Sequence, residues 1–315
     1  TVPRDKNTYS VDPVFDIGGP VFKDKVWFFV GFNPSYNRQE RTVTWVTPGT
    51  NPATQTFDIG KPHDYSTNYN VTSQLTKSLR GRFTGSNERI QGSLGLPGIE
   101  PNGTSTSNAN TFNPRSTLRT DSFTDSYTGV LDWVATNRLY MNLTAGYFSY
   151  GSKNAGGDFY HGTRRTFSST NVGYLDVPAS LQQISGYAEN AANTFTVKDN
   201  YNRLQLNGDL TWFANFKGDH AFKVGAQFER LGNDVNNGAQ FPSIAFSWNA
   251  SYNTLSNTTV RGTYGYYTVS QRYTVGAIHS NNIGVFAQDQ WTLNNKLSIN
   301  YGVRAEKETV PSYRA

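Results

Sequence analysis

The chain has 315 residues, a formal charge of +5, 16% charged and 14% aromatic side chains, and no cysteine. Its 20 Phe, 19 Tyr and 6 Trp exclude a solvated coil, and its longest apolar run, Val26 to Phe32, is far short of the ~20 residues of a spanning helix. The missing cysteines remove disulfide, thiolate-zinc and thiol-nucleophile chemistry, and basic pairs as isolated as Arg80/Arg82 and Arg164/Arg165 make no phosphate-tracking stripe for nucleic acid.

Taken in order, the sequence reads as strand pairs around tight breaks. Tyr9 to Ile17 and Lys25 to Tyr36 pair across Gly19-Pro20 and Lys23-Asp24. Asn70 to Thr76 and Leu79 to Asn87 pair across Lys77-Ser78. Tyr127 to Trp133 and Leu139 to Tyr150 follow, around residues 135–138. The pattern is clearest next: Leu204, Leu206, Leu210 and Trp212 alternate with Arg203, Gln205, Asp209 and Thr211. Beyond a break at Phe216-Lys217-Gly218-Asp219, Phe222, Val224, Ala226 and Phe228 alternate with Lys223, Gly225, Gln227 and Glu229 around a Gly-Asp turn. Ile283 to Trp291 and Lys296 to Glu306 close the series. Period two with one apolar and one polar row is the mark of a two-faced antiparallel strand.

Ten strands of about 8 to 13 residues suit tilted bilayer crossings. The intervening segments, about 37–68, 88–123, 152–200 and 232–280, are polar and too long for an ordinary soluble domain. Short turns on one side and long loops on the other predict an all-β, antiparallel transmembrane barrel segment with periplasmic turns and extracellular loops. Within the last loop, the alternation of Tyr264, Tyr266 and Thr268 predicts an extension of the flanking strands. Trp133, Trp212 and Trp291 recur just before their turns, as an aromatic girdle would; the competing reading is a soluble sandwich core. Asp289 falls on the lipid parity, which a bulge or a place at the interface would accommodate.

Residues Asp16-Ile17-Gly18-Gly19-Pro20-Val21-Phe22-Lys23-Asp24-Lys25-Val26-Trp27-Phe28-Phe29 resemble an early hairpin of TonB-dependent outer-membrane receptors, the Oar-like group with a carboxypeptidase-regulatory-like domain in particular. Gly284-Val285-Phe286-Ala287-Gln288-Asp289-Gln290-Trp291, with Leu297, Asn300, Gly302, Val303 and Arg304, is similar to a later one; Ala305 departs from the usual aromatic. The resemblance implies a barrel of about 22 strands around a plug, with import of a bulky substrate driven by the TonB complex. Residues 1–315 are then expected to be about half of the barrel domain, with plug, TonB box and remaining strands elsewhere. The partners the resemblance implies are outer-membrane lipid, the TonB complex through the plug, the rest of the same protein and an unidentified substrate.

Small residues on the polar rows, among them Thr84, Thr128, Gly146, Gly225 and Gly302, fit a wide wall around a plug and would leave a closed ten-stranded barrel poorly filled. The segments 9–18 and 296–307 are accordingly expected not to pair.

Chemistry is sparse. His63, His161, His220 and His279 lack zinc spacing and read as solvated residues of loops and one turn. No nucleophile elbow, phosphate loop or calcium loop is present, so neither catalysis nor a cofactor is expected. The polar rows carry Arg80, Arg82, Arg203, Asp209, Lys223, Glu229, Arg304 and Glu306, read as a wetted lumen wall or as ligands along a transport path. Tyr160, Trp248, Tyr252, Tyr264, Tyr266 and Tyr267 stand in loops, where they either stack on a sugar or peptide or pack the loops together. The leading function is active import; a passive or structural barrel and a soluble surface adhesin are the alternatives. If the even-numbered row of the Leu204–Trp212 strand faces lipid, Leu206→Arg is expected to cost about 2–4 kcal/mol and Gln205→Arg almost nothing, measured by folding titrations into vesicles. Equal damage would place both faces in a soluble core.

Overall fold

The computed structural model describes residues 5–45, 54–92, 104–105, 119–155, 161–168, 173–183, 185, 187–189, 193–294 and 296–311. Its strands are β1 (Asp5–Val11), β2 (Phe15–Phe22), β3 (Val26–Trp45), β4 (Thr54–Gln74), β5 (Leu79–Gln91), β6 (Thr104–Ser105), β7 (Arg119–Thr136), β8 (Leu139–Ala155), β9 (Arg164–Phe167), β10 (Thr194–Asn215), β11 (Asp219–Ala239), β12 (Ser243–Trp248), β13 (Tyr252–Asn253), β14 (Thr259–Val260), β15 (Gly265–Ser270), β16 (Tyr273–Asn294) and β17 (Leu297–Glu308). The main sheet runs β1-β3-β4-β5-β7-β8-β10-β11-β16-β17, with β2 also on β3. All these neighbours pair antiparallel, the sequence-adjacent meander that short turns produce. Among the described residues only the two-residue β6 joins this sheet in parallel, also on β3. Among the described residues no ladder connects β1 or β2 with β17, so the sheet is open, as the small residues of its polar rows led us to expect.

The turns lie near where the sequence placed them, except that Gly19-Pro20, expected as a break, is paired within β2 and the first reversal is made at 23–25 alone; the strands are also longer. β3 reaches Trp45, β4 starts at Thr54, and β10, β11 and β16 each run 21 or 22 residues. The loop expected at 37–68 is therefore largely strand among its described residues, and those at 152–200 and 232–280 are shortened at both ends. The physical reason is that apolar alternation marks only the part of a strand that needs an apolar row. Beyond it, Thr, Asn and Tyr continue the ladder with both faces wet. The expected Tyr9–Ile17 strand is instead split into β1 and β2. Pro13 and Pro34 sit at the same height of the β1/β2–β3 ribbon, where neither offers an N–H. Asn33 spans that gap by donating from Nδ2 to the Pro13 carbonyl at 2.9 Å.

Register places side chains on two distinct faces. Leu206 lies between Ala145 and Phe228; Phe228 meets Ile283, and Leu143 meets Leu131. This apolar face remains exposed across the sheet, Leu206, Val224 and Ile283 included. Its small residues Gly81, Gly129, Ala145, Gly208 and Ala226 form a trough of about 920 Å³. Trp133, Trp212 and Trp291 project from the same face at its turn-side end. No second layer covers either face among the described residues, which argues against the sandwich. A water-exposed single layer with such an apolar face would not persist.

Residues expected to extend the flanking strands at 241–275 instead build a separate sheet, β15-β12-β9, in which β12 is antiparallel to β15 and parallel to β9. It is here that conventional burial occurs: Phe167, Ala188 and Trp248 are enclosed, leaving only Val235 of the main sheet among the buried hydrophobics of the described residues.

The β10–β11 turn depends on Lys217 and Gly218, both at positive φ (51° and 122°). A Cβ at Gly218 would also lie 2.7 Å from the Thr292 carbonyl and from Trp291 Nε1. Gly218→Ala is expected to destabilise the turn by about 1–3 kcal/mol, read from thermal unfolding in detergent.

Candidate functional site

All eight charged residues singled out from the sequence share the polar face, and register groups them into two belts. Nearer the turns, Lys223 Nζ is 3.1 Å from Asp209. On neighbouring strands Asp132 accepts hydrogen bonds from the Tyr140 hydroxyl (2.6 Å) and from Asn142 (2.8 Å), close to Arg80, which faces Asp132 in register, and Arg82. Farther out, Arg203 approaches Glu229 at 3.9 Å, and Asn282 donates to Glu229 at 3.3 Å. Arg304 pairs with Glu306 along its own strand and donates to Gln227 at 3.1 Å. Between the belts, Lys223, Phe286, Gln288, Gln290, Asn300 and Arg304 border a recess of about 670 Å³. Such exposed pairs are worth only about 0–1 kcal/mol each. They make a wet, mixed-charge wall with limited net field. Asp132, Tyr140 and Asn142 belong to this wall and escaped the sequence reading. Continuing the parity of the Trp133 strand down to its turn would have found Asp132.

The loop aromatics divide. Trp248 is buried against Tyr174 at 5.7 Å, and Tyr174 meets Tyr264 edge-on at 5.1 Å. The Tyr264 hydroxyl donates to Asp176, whose carboxylate holds the phenol above its ordinary pKa. Phe246 stacks on Phe167 at 5.1 Å, and Asn193 ties the unit to the Phe241 carbonyl at 2.9 Å. Trp248 and Tyr264 therefore pack loop on loop. Tyr252 and Tyr266 lie 5.3 Å apart, Tyr267 is 65% exposed, and Tyr160 lies outside the described residues.

The histidine expectations need correction. His63 and His279 fall within β4 and β16 because those strands extend past their apolar rows. His161 is exposed, 6.0 Å from Phe241 in an edge-on arrangement. His220 is no solvated turn residue: it is 7% exposed, and its Nδ1 lies 2.7 Å from Asp289 Oδ2. Tyr301 donates to the same oxygen at 2.7 Å. The imidazole is stacked between Phe216 (4.2 Å) and Trp291 (5.6 Å), and Trp291 Nε1 donates to the Lys217 carbonyl at 3.1 Å. This resolves Asp289 on the apolar face without a bulge. The ladder runs unbroken through Phe222, Asp289 and Tyr301, and its register shift comes later, between Thr292 and Asn294.

With Asp289 only 4% exposed, losing His220 leaves a buried carboxylate with Tyr301 as its one remaining side-chain donor among the described residues. His220→Ala is expected to cost about 3–5 kcal/mol, and His220→Ala with Asp289→Ala together clearly less than the sum. A double-mutant cycle on thermal stability measures this.

The model of a family described as "outer membrane beta barrel domain" matches residues 98–315. The TonB-dependent transporter Oar of Myxococcus xanthus is 24% identical over 93% of this chain and 33% of its own length. The crystal structure of the outer membrane transporter YddB from Escherichia coli superposes with a TM-score of 0.57 at 13% identity, covering 95% of this chain and 34% of that one. The chain thus spans about a third of the length of these relatives. An open antiparallel sheet with one apolar and one polar face, matched over most of its length by that family's model, identifies the chain as a member of the outer membrane beta barrel domain family, located in the bacterial outer membrane.

Proposed function

We propose that the chain is part of the barrel wall of an active outer-membrane transporter. In this reading the apolar face meets lipid, Trp133, Trp212 and Trp291 form the periplasmic girdle, and the polar face lines a lumen filled by a plug. The observation that carries it is the two-faced sheet with charged side chains confined, over the membrane-deep part, almost entirely to one side. Such a face needs water or a polar protein against it, and the other needs hydrocarbon. The first and last strands of the sheet then pair with strands outside residues 1–315. The similarity to the transporter Oar supports coupling to TonB.

The belts of Arg203, Glu229, Arg304 and Glu306 above, and Asp209, Lys223, Arg80 and Arg82 below, serve first as the polar wall of the transport path. A bulky substrate is received by the extracellular loops, where Tyr252, Tyr266 and Tyr267 offer ring faces, while Trp248 and Tyr264 hold the loop sheet that presents them. No catalytic step is assigned to the chain.

The test is growth of cells with and without the intact protein on siderophore-bound iron, a glycan or a peptide as limiting nutrient. The advantage on one nutrient is expected to vanish in a strain lacking TonB, or when a protonophore collapses the proton gradient. An advantage that persists under both conditions would establish a passive barrel instead.

A further inference from the structure

The apolar face changes chemistry at its outer end. Ring neighbours Tyr69, Phe83, Tyr127 and Tyr147 span four strands, with centroids 6.1, 6.4 and 6.5 Å apart. Outward of them the same parity carries Asn87, Arg89, Asp125, Phe123, Lys153, Asn200 and Lys198. Arg89 stands about 33 Å along β5 from Leu79 at ~3.3 Å per residue. With the usual strand tilt, that is the upper margin of an apolar band about 25 Å tall.

The groups there are held in place. Arg89 grips Asp125 with both nitrogens, at 2.7 and 3.1 Å, and its guanidinium lies 5.3 Å over the Phe123 ring. Asn87 donates to Asp125 as well, at 2.5 Å. Lys198 lies 2.5 Å from Asp234. Lys153 faces Asp121 in register, but Arg119 already occupies that carboxylate at 2.8 Å. The Lys153 ammonium is left with no hydrogen bond or ion pair to any described residue. Arg89, Gln91, Phe123, Lys153, Lys198 and Asn200 border a recess of about 540 Å³. Its floor is open because residue 151 is glycine: a Cβ there would lie 2.3 Å from the Phe123 ring and 2.4 Å from Asn200 Oδ1.

A concave site with an uncompensated ammonium, two further cations and side-chain amides, at headgroup height on a lipid-facing surface, suits one occupant. We propose that this recess binds the phosphate of a phosphorylated lipid headgroup in the outer leaflet. Lys153 supplies the unneutralised charge, Lys198 and Arg89 further donors, and Asn200 and Gln91 amide contacts to the rest of the headgroup. The proposal rests on the reading that the apolar row faces lipid.

The experiment uses the full-length protein in detergent, with bisphosphorylated lipid A as the probe and native mass spectrometry as the readout. One basic residue at a membrane surface contributes about 1 kcal/mol, so Lys153→Ala is expected to weaken binding about fivefold. Lys153→Glu should weaken it further, and Lys223→Ala on the opposite face should leave it unchanged. Unchanged binding in Lys153→Ala and Lys153→Glu would overturn the proposal. So would equal displacement by millimolar inorganic phosphate, which would make this a free-anion site. A Leu206→Trp variant in vesicles with brominated acyl chains tests the underlying orientation separately: quenching is expected, and its absence would overturn both the orientation and the headgroup site. Quenching without a Lys153 effect would overturn the headgroup site alone.

Discussion

Everything in this molecule follows from the fact that a backbone N–H or C=O in hydrocarbon has no water to turn to. Each unsatisfied group costs several kcal/mol, so a chain crossing the bilayer as strands must pair every one of them with a neighbour. The long meander does this for all its internal strands. The same constraint explains why Pro13 and Pro34 coincide in height. Two missing donors in one gap, spanned by the Asn33 amide, interrupt the ribbon once instead of twice.

Given a satisfied backbone, the side chains face opposite demands on the two sides of the sheet. On the polar side charges are exposed and paired loosely, Arg203 with Glu229 and Lys223 with Asp209, and such pairs add little stability. Their value is in keeping a wall wet without a large net field. On the apolar side, below the outer margin where Arg89 and Lys198 stand, a charge is tolerated only under cover. Asp289 is enclosed by His220, Tyr301 and the rings around them. There the cost of stranding one partner is several times what a surface pair contributes. The two kinds of pair look alike in a contact inventory and differ by their burial.

The sheet of β9, β12 and β15 obeys ordinary soluble-protein rules. Outside the membrane, a loop of this length must offset the entropy of its own ordering, and it does so with a small aromatic core around Phe167, Phe246 and Trp248. That is why some aromatic residues of the loops are consumed by packing while Tyr267 stays at the surface.

The sequence by itself determined the turns, the strand parity and the polar and apolar rows. Period-two alternation is a local property, and Gly218-Asp219 or Lys23-Asp24 signal a reversal without reference to the rest of the chain. The segments around Asp16 to Phe29 and Gly284 to Arg304 also sufficed to indicate the family. It could not fix strand ends, because Thr- and Asn-rich stretches pair or loop according to what lies beside them. Nor could it bring His220 to Asp289, 69 residues apart along the chain, or tell that Trp248 and Tyr264 meet through Tyr174. These depend on register between strands joined by long connections, and register is a cooperative outcome of the whole ladder. Lys153 shows the same division. Its charge was plain in the sequence, but that Arg119 would already occupy the acid opposite it was decided only when the strands were laid side by side.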